Sequence, residues 1–126
     1  MSVSNDHCIM WIENDILYGI YKEKPLDIDG AKSVVQLRKD LQNGATNPAV
    51  IDIRNMTRAT KEARAYLASK EACDGISQCA IIIDSNISMV LGNIYLKINK
   101  PPVLSKLFTS LLEAKKWAMA PSKEAV

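Results

Sequence analysis

Two short apolar runs, each bounded by polar residues, constrain the fold of this chain most strongly. Residues 49–53 (AVIDI) and 79–83 (CAIII) are almost continuously apolar over the length of one strand. Runs of this kind are typical of strands that are covered on both faces. Such strands belong to parallel sheets in which helices connect one strand to the next. The chain is therefore predicted to form an α/β domain.

A β-hairpin is predicted before the first of these runs. Residues 7–21 are apolar or aromatic on both sides of Asn14 and Asp15, two residue types that tolerate the left-handed backbone of a tight turn. Because side chains alternate along a strand, Ile9 and Trp11 share one face of its first strand.

Helical patterns follow the hairpin and each later strand. Asp27 or Asp29 is placed to cap a first helix that Gly44 ends, and Thr60 is placed to cap a second. Ser110 begins the last helix, after a final strand within residues 103–108, as part of a capping box with the glutamate three residues later. The third helix has the clearest amphipathic pattern, carried by Ile87, Val90, Leu91, Ile94, Tyr95 and Ile98.

The predicted order is thus an N-terminal β-hairpin followed by alternating α and β units. It gives a largely parallel sheet of about five strands with four helices. A chain of 126 residues is of the usual size for one domain. We expect a single domain over residues 1–126, with an ordered core from about 7 to 119.

The composition argues against several classes of protein. Apolar residues make up 48% and charged residues 24% of the chain, and the net charge is only +2, with lysines scattered along every predicted element. A clustered basic face is missing, so nucleic-acid binding is not expected. No apolar run has the length of a membrane span, and residues 1–6 do not resemble a signal peptide. A cytoplasmic protein without stable membrane insertion is expected.

The cysteines do not indicate a metal site or a disulfide framework. Cys8, Cys73 and Cys79 are odd in number and lack CxxC spacing, and His7 is the one histidine that could join them. We expect reduced, buried thiols and no cofactor.

Several segments resemble a known family. They are IDIR at 51–54 with EAR at 62–64, AIIIDS at 80–85 running into MVLGN at 89–93, and Phe108 with Ala114 and Trp117. This pattern resembles the small bacterial SpoIIAA-like domains of the STAS superfamily, often labelled STAS/SEC14. The resemblance covers nearly the whole chain. It implies a SpoIIAA-like fold and a non-catalytic regulatory or protein-interaction module, with a protein partner or a homodimer.

The phosphorylation site of the anti-sigma antagonists in that superfamily has no match in this chain. There an aspartate followed by a phosphorylatable serine begins a helix after the central strand. The corresponding positions fall near Thr60 and Lys61, within the sequence TRATKE at 57–62. The resemblance therefore implies a module without the usual Asp-Ser switch, and capping alone accounts for Thr60.

Basic residues follow the strand at 49–53 and form a candidate anion site. Arg54, Arg58, Lys61 and Arg64 lie where open α/β sheets bind ligands, beside the backbone amides that Thr60 would cap. The alternative is a solvated basic surface in which Arg64 pairs with a helix carboxylate. Further candidates are the residues at the equivalent position after the next strand, Ser85 and Asn86.

The helix at 87–98 is a second candidate site. Met89, Tyr95 and Leu96 extend its apolar surface beyond one narrow face, which suggests a dimer interface or a groove for a lipid-like ligand. Gly92 and Asn93 mark a place where the helix could approach another element closely.

No catalytic constellation is evident. His7 lies among apolar neighbours, and Asp52 and Asp84 lack the glycine-rich loop or ligand set that phosphoryl transfer requires. We therefore expect no enzyme. The alternative to an interaction module is a binder of a small anionic or hydrophobic molecule.

Overall fold

A computed structural model describes residues 1–85, 92–93 and 96–120. Residues 92, 93 and 96–99 are helical. The other elements, in chain order, are β1 (Ser2–Ser4), β2 (Cys8–Glu13), β3 (Ile16–Tyr21), α1 (Ile28–Gln42), β4 (Asn47–Asp52), α2 (Lys61–Leu67), α3 (Lys70–Cys73), β5 (Ile76–Ile82), β6 (Leu104–Phe108) and α4 (Leu111–Met119).

The strands form one sheet in the order β1-β2-β3-β4-β5-β6. The first three strands pair antiparallel, and the pairs from β3 to β6 are parallel. This confirms the predicted α/β class with a hairpin and alternating units. The sheet has six strands rather than about five because Ser2–Ser4 pairs with β2, placing Val3 opposite Met10. Only Val3 of these three residues packs against the core, so the segment has no apolar pattern to detect.

The hairpin turn has the predicted backbone. Asn14 and Asp15 have φ values of 52° and 63°, the left-handed pair that a type I′ turn requires. The turn is also tied to the next strand, since Asn47 Nδ2 donates to the carbonyl of Asp15 at 3.0 Å.

Three predicted helix caps are present. The side chains of Asp27, Thr60 and Ser110 each accept a hydrogen bond from the backbone N–H three residues later. At the end of α1 the left-handed cap is Asn43, and Gly44 follows with φ of 89°. One helix was not predicted: α3 spans four residues, too few to carry a periodic pattern.

Helices cover the two faces of the sheet unequally. We call the side on which α1 and α2 pack the α1 face; its core includes Met10 and Leu26. The opposite side, the α4 face, has a core in which Ala114 and Ala118 of α4 pack near Val50. Within the described ranges α4 packs mainly on β4, β5 and β6. The small alanines bring α4 close to those strands. On this face, β1–β3 lie to one side of α4.

A buried polar network ties α1 to the start of β5. Arg38 is 3% exposed. Its Nη1 donates to Gln42 Oε1 at 2.6 Å and to the Asp74 carbonyl at 2.9 Å, and its Nη2 donates to the Ala72 carbonyl at 2.6 Å. Burial lowers the pKa of Arg38, and the charge of Asp74 is among the opposing influences. Because two carbonyls and an amide oxygen accept hydrogen bonds from the guanidinium, this cluster holds α1 to the residues before β5.

The three cysteines are free thiols; Cys8 and Cys73 are buried and Cys79 is partly buried. Burial raises the pKa of Cys8 to about 11 and that of Cys79 to about 12. In the part of the chain that the structure describes, no set of three or more His, Cys, Asp or Glu side chains is placed to bind a metal ion. Nor do these residues include a helix of the length and apolar character that a membrane span needs.

Candidate functional site

A cavity of about 380 Å³ lies at the carboxyl ends of β4 and β5, on the α1 face. We call it the carboxyl-edge cavity. The described residues that line it are Ile53, Arg54, Met56, Thr57, Ile81, Ile83, Asp84, Gly92, Leu96 and Leu107. Open parallel sheets bind ligands at this edge, so its position agrees with the place that the strand order predicts for a site.

Strand alternation makes the floor of the cavity apolar. Ile81 lies beside Leu107 in the parallel pairing of β5 with β6, and both side chains project to the same side of the sheet. Ile83, two residues after Ile81, continues that row beyond the end of the strand. Since buried strands carry apolar residues on both faces, the floor follows directly from the run at 79–83.

A glycine lets the helical residues 92–93 approach β6. A Cβ atom built on Gly92 would lie 2.7 Å from Leu107 Cδ1, closer than van der Waals contact allows. This is the close approach that the sequence predicted for Gly92. Leu96, four residues later, also lines the cavity. These helical residues and β6 therefore form one wall together.

The polar part of the lining contains an arginine whose charge is already paired. Arg54 donates from Nε to Asp52 Oδ1 at 3.0 Å and from Nη2 to Asp52 Oδ2 at 2.7 Å. Partial burial tends to raise the pKa of Asp52, but the hydrogen bonds and charge of Arg54 outweigh it and lower that pKa. Asp52 thus stays ionised and balances the guanidinium charge, while Thr57 and Asp84 add a hydroxyl and a carboxylate to the lining.

The predicted basic cluster does not assemble around the cavity. Of its four cations, only Arg54 lines it. Arg64 turns back along the chain and donates from Nη1 to the Ala59 carbonyl at 2.5 Å. Arg58 and Lys61 are exposed. Arg54 and Arg64 each have an acceptor within the protein, and the four side chains do not converge on the cavity.

Thr60 acts as a helix cap. Its hydroxyl oxygen accepts a hydrogen bond from the Ala63 N–H at 3.1 Å, and α2, which it caps, has seven residues. Ser85 is half-buried after β5, and Asn86 lies outside the described residues. These positions remain candidate residues for binding.

At the end of the helix predicted for 87–98, the side that faces the protein differs from the predicted one. Ile98, expected to face the core, is 73% exposed, and Leu96, expected to be surplus, lines the cavity. Two residues along a helix are about 200° apart, so Leu96 and Ile98 cannot share a face. The other members of the stripe, at 87, 90, 91, 94 and 95, lie outside the described residues.

His7 has a structural position. Its ring packs against α1, where a Cβ on Gly30 would lie 2.7 Å from His7 Cε1. The buried Nδ1 has no hydrogen-bond partner among the described residues. The ring is remote in the sheet order from the strands that line the cavity.

Sequence reasoning missed most of the lining. Met56, Thr57 and Leu107 carried no motif, because a cavity wall needs only apolar side chains that the fold brings together. The usable signals were the apolar run at 79–83, Arg54 at the end of the preceding run, and Gly92, a helix-breaking residue within an otherwise strong helical pattern.

Comparison with known proteins places the chain in a family. The model of the family described as "Domain of unknown function (DUF7793)" matches residues 10–120. The chain therefore belongs to the DUF7793 family. The matched range of this DUF7793 protein runs from β2 to the end of α4, so it includes all the described residues that line the cavity.

A solved structure supports the predicted fold. It is an uncharacterised protein of the DUF3478 family with a SpoIIAA-like fold, from Shewanella loihica PV-4. The TM-score is 0.66 at 17% sequence identity, and the match covers 92% of this chain and 98% of the other. The predicted SpoIIAA-like fold is thereby confirmed for this DUF7793 protein. No protein with a curated description matches it.

Proposed function

We propose that this DUF7793 protein is a non-catalytic binding domain that holds a small, mostly apolar molecule in the carboxyl-edge cavity. The observation that carries the proposal is the cavity itself. Its volume of about 380 Å³ falls within the range of roughly 300–1,000 Å³ that is usual for small-molecule sites. Sites of this kind are mostly apolar with a few polar groups, as this lining is.

The lining favours an uncharged ligand with one hydrogen-bonding end. Ile81, Ile83 and Leu107 provide apolar surface at the strand ends. At the rim the charge of Arg54 is balanced by Asp52 at 2.7 Å. A strongly anionic ligand would have to compete with that carboxylate for the guanidinium. An alcohol or amide could instead use Thr57 without disturbing the pair.

The chemistry of the lining supports binding without catalysis. It contains a guanidinium, a hydroxyl and a carboxylate, but no imidazole or thiol among the described lining residues. A nucleophile held by a base and a third orienting group is the arrangement that acyl transfer needs. The lining residues are better suited to orienting a ligand than to transferring a proton or an acyl group.

The proposal can be tested by isothermal titration calorimetry with 1-octanol, an apolar chain with a single hydroxyl. Ile81→Phe fills the cavity floor, and Ile76→Phe makes the same change in β5 at a half-buried position that does not line the cavity. We expect saturable binding that Ile81→Phe weakens at least about tenfold, or about 1.4 kcal/mol, and that Ile76→Phe leaves unchanged. Equal binding by both variants would show that octanol does not occupy the cavity.

A protein-interaction role, as the STAS resemblance implies, is the second candidate. Large apolar side chains are exposed on the outer surface of α4, at Leu111, Leu112 and Met119. Exposed apolar patches on small domains mark interaction surfaces. This surface is on the face opposite the cavity, so the two roles are compatible in one molecule.

A further inference from the structure

The α4 face carries an apolar surface on β2 and β3, beside α4. Ile9 pairs with Ile20 and Trp11 with Tyr18 across the two strands, so all four side chains share this face. Trp11 stacks on Tyr18 with ring centroids 5.4 Å apart. Ile9 is 36% exposed, and Trp11 and Ile20 are partly exposed. We call these four residues the hairpin floor.

One side of α4 forms a wall along this floor. Lys115 Nζ lies 5.7 Å from the centroid of the Tyr18 ring, which fixes the side of the helix that faces the hairpin. Leu111 and Met119 are four residues before and after Lys115 and therefore lie on the same side. They are 47% and 65% exposed, and Leu112, further out on the helix, is 61% exposed. Wall and floor together form one step-shaped apolar surface.

We propose that this surface is an interface between two copies of the chain, in which the α4 wall of each copy covers the hairpin floor of the other. A two-fold contact requires a surface that is complementary to itself. A projecting apolar helix beside a recessed apolar floor has that property, because one rotation buries both parts of both copies.

The charges around the surface support a second copy as the occupant. Lys116 is exposed on α4, and Glu13 is exposed at the end of β2, at the edge of the hairpin floor. Glu13 shares the face of Ile9 and Trp11 by strand alternation. Placing the wall of one copy on the floor of the other therefore brings Lys116 toward the Glu13 carboxylate, and rim charges of opposite sign favour the correct docking geometry.

Sedimentation equilibrium of the full chain tests this interface, over about 5 to 200 µM, the range in which micromolar self-association is resolved. Leu112→Glu places a charge in the proposed interface at a side chain that packs little within the domain. Ile98→Glu is the matched control, since Ile98 is 73% exposed on the helical segment across the sheet. We expect a dimer for the wild type and Ile98→Glu, and a monomer for Leu112→Glu with an unchanged far-UV circular dichroism spectrum.

Charge exchange adds a second measurement. Glu13→Lys should weaken the dimer, and adding Lys116→Glu should restore at least part of the lost affinity. A wild-type protein that stays monomeric at the highest concentration would overturn the proposal. So would a dimer that Leu112→Glu leaves intact, or that Ile98→Glu dissociates equally well. Because octanol binding is measured separately, the interface can fail while the binding proposal stands.

Discussion

Gly92 and Leu107 are so close that a Cβ atom on Gly92 would lie 2.7 Å from Leu107 Cδ1. This approach brings the helical residues 92–93 against β6 and closes one wall of the carboxyl-edge cavity. Leu107 is 7% exposed and also lines the cavity. A glycine that would otherwise cost helix stability is therefore explained by packing.

Gly92→Ala should stabilise the protein by about 1 kcal/mol less than helix propensity alone predicts, because Leu107 Cδ1 must move toward the cavity to make room. Urea denaturation measures the change. Asn93→Ala is the control at the next, exposed position and should leave stability unchanged or slightly higher. If Gly92→Ala stabilised the protein by the full amount that helix propensity predicts, the close packing would be wrong.

Arg38→Met should lower the free energy of unfolding by about 3 kcal/mol, because two buried carbonyls and the Gln42 amide would lose their donor. Lys39→Met, at the adjacent position of α1, should cost at most about 1 kcal/mol. Chemical denaturation of both variants provides the comparison. Equal losses would contradict a specific role of the Arg38 network.

The hairpin turn predicts opposite effects for two substitutions of Asp15, whose φ is 63°. Asp15→Gly should raise the free energy of unfolding by about 0.5 kcal/mol, and Asp15→Val should lower it by about 1–2 kcal/mol. Thermal unfolding followed by circular dichroism gives both values. Glu23→Val, at an exposed residue outside the turn, should change it by less than about 0.5 kcal/mol.

The thiol of Cys8 should make stability depend on pH in the alkaline range. Burial raises its pKa from the ordinary 9.0 to about 11, against a smaller opposing effect of Lys22. The folded state keeps the proton that the unfolded state loses near pH 9. The contribution of Cys8 to the free energy of unfolding is therefore complete below pH 9 and is lost as the pH rises through about 11. Wild-type stability should fall more steeply between those values than that of Cys8→Ala. Parallel curves from denaturation at several pH values would refute this.

Local sequence patterns were sufficient for most of the fold. The turn at Asn14 and Asp15, the caps at Asp27 and Thr60, and the buried runs were predictable because each depends on residues within a few positions. The strand Ser2–Ser4 was not, since only one of its side chains packs inward.

Contacts between distant segments limited the prediction of the site. Arg38 looks like a surface cation, but its acceptors Ala72 and Asp74 are 34 and 36 residues away. The carboxyl-edge cavity combines side chains from β4 to β6 in the same way. Arg54 was identified correctly as a residue of this edge. Its partner Asp52 then gives it a different role, because a neutralised guanidinium is a poor anion site.

The most direct test of the binding proposal is nuclear Overhauser spectroscopy of methyl-labelled protein with 1-octanol. The account predicts contacts between octanol protons and the methyl groups of Ile81, Ile83 and Leu107, which line the cavity. Contacts confined to the exposed methyl groups of Leu111, Leu112 and Met119 on α4, or the absence of any contact at saturating octanol, would contradict it.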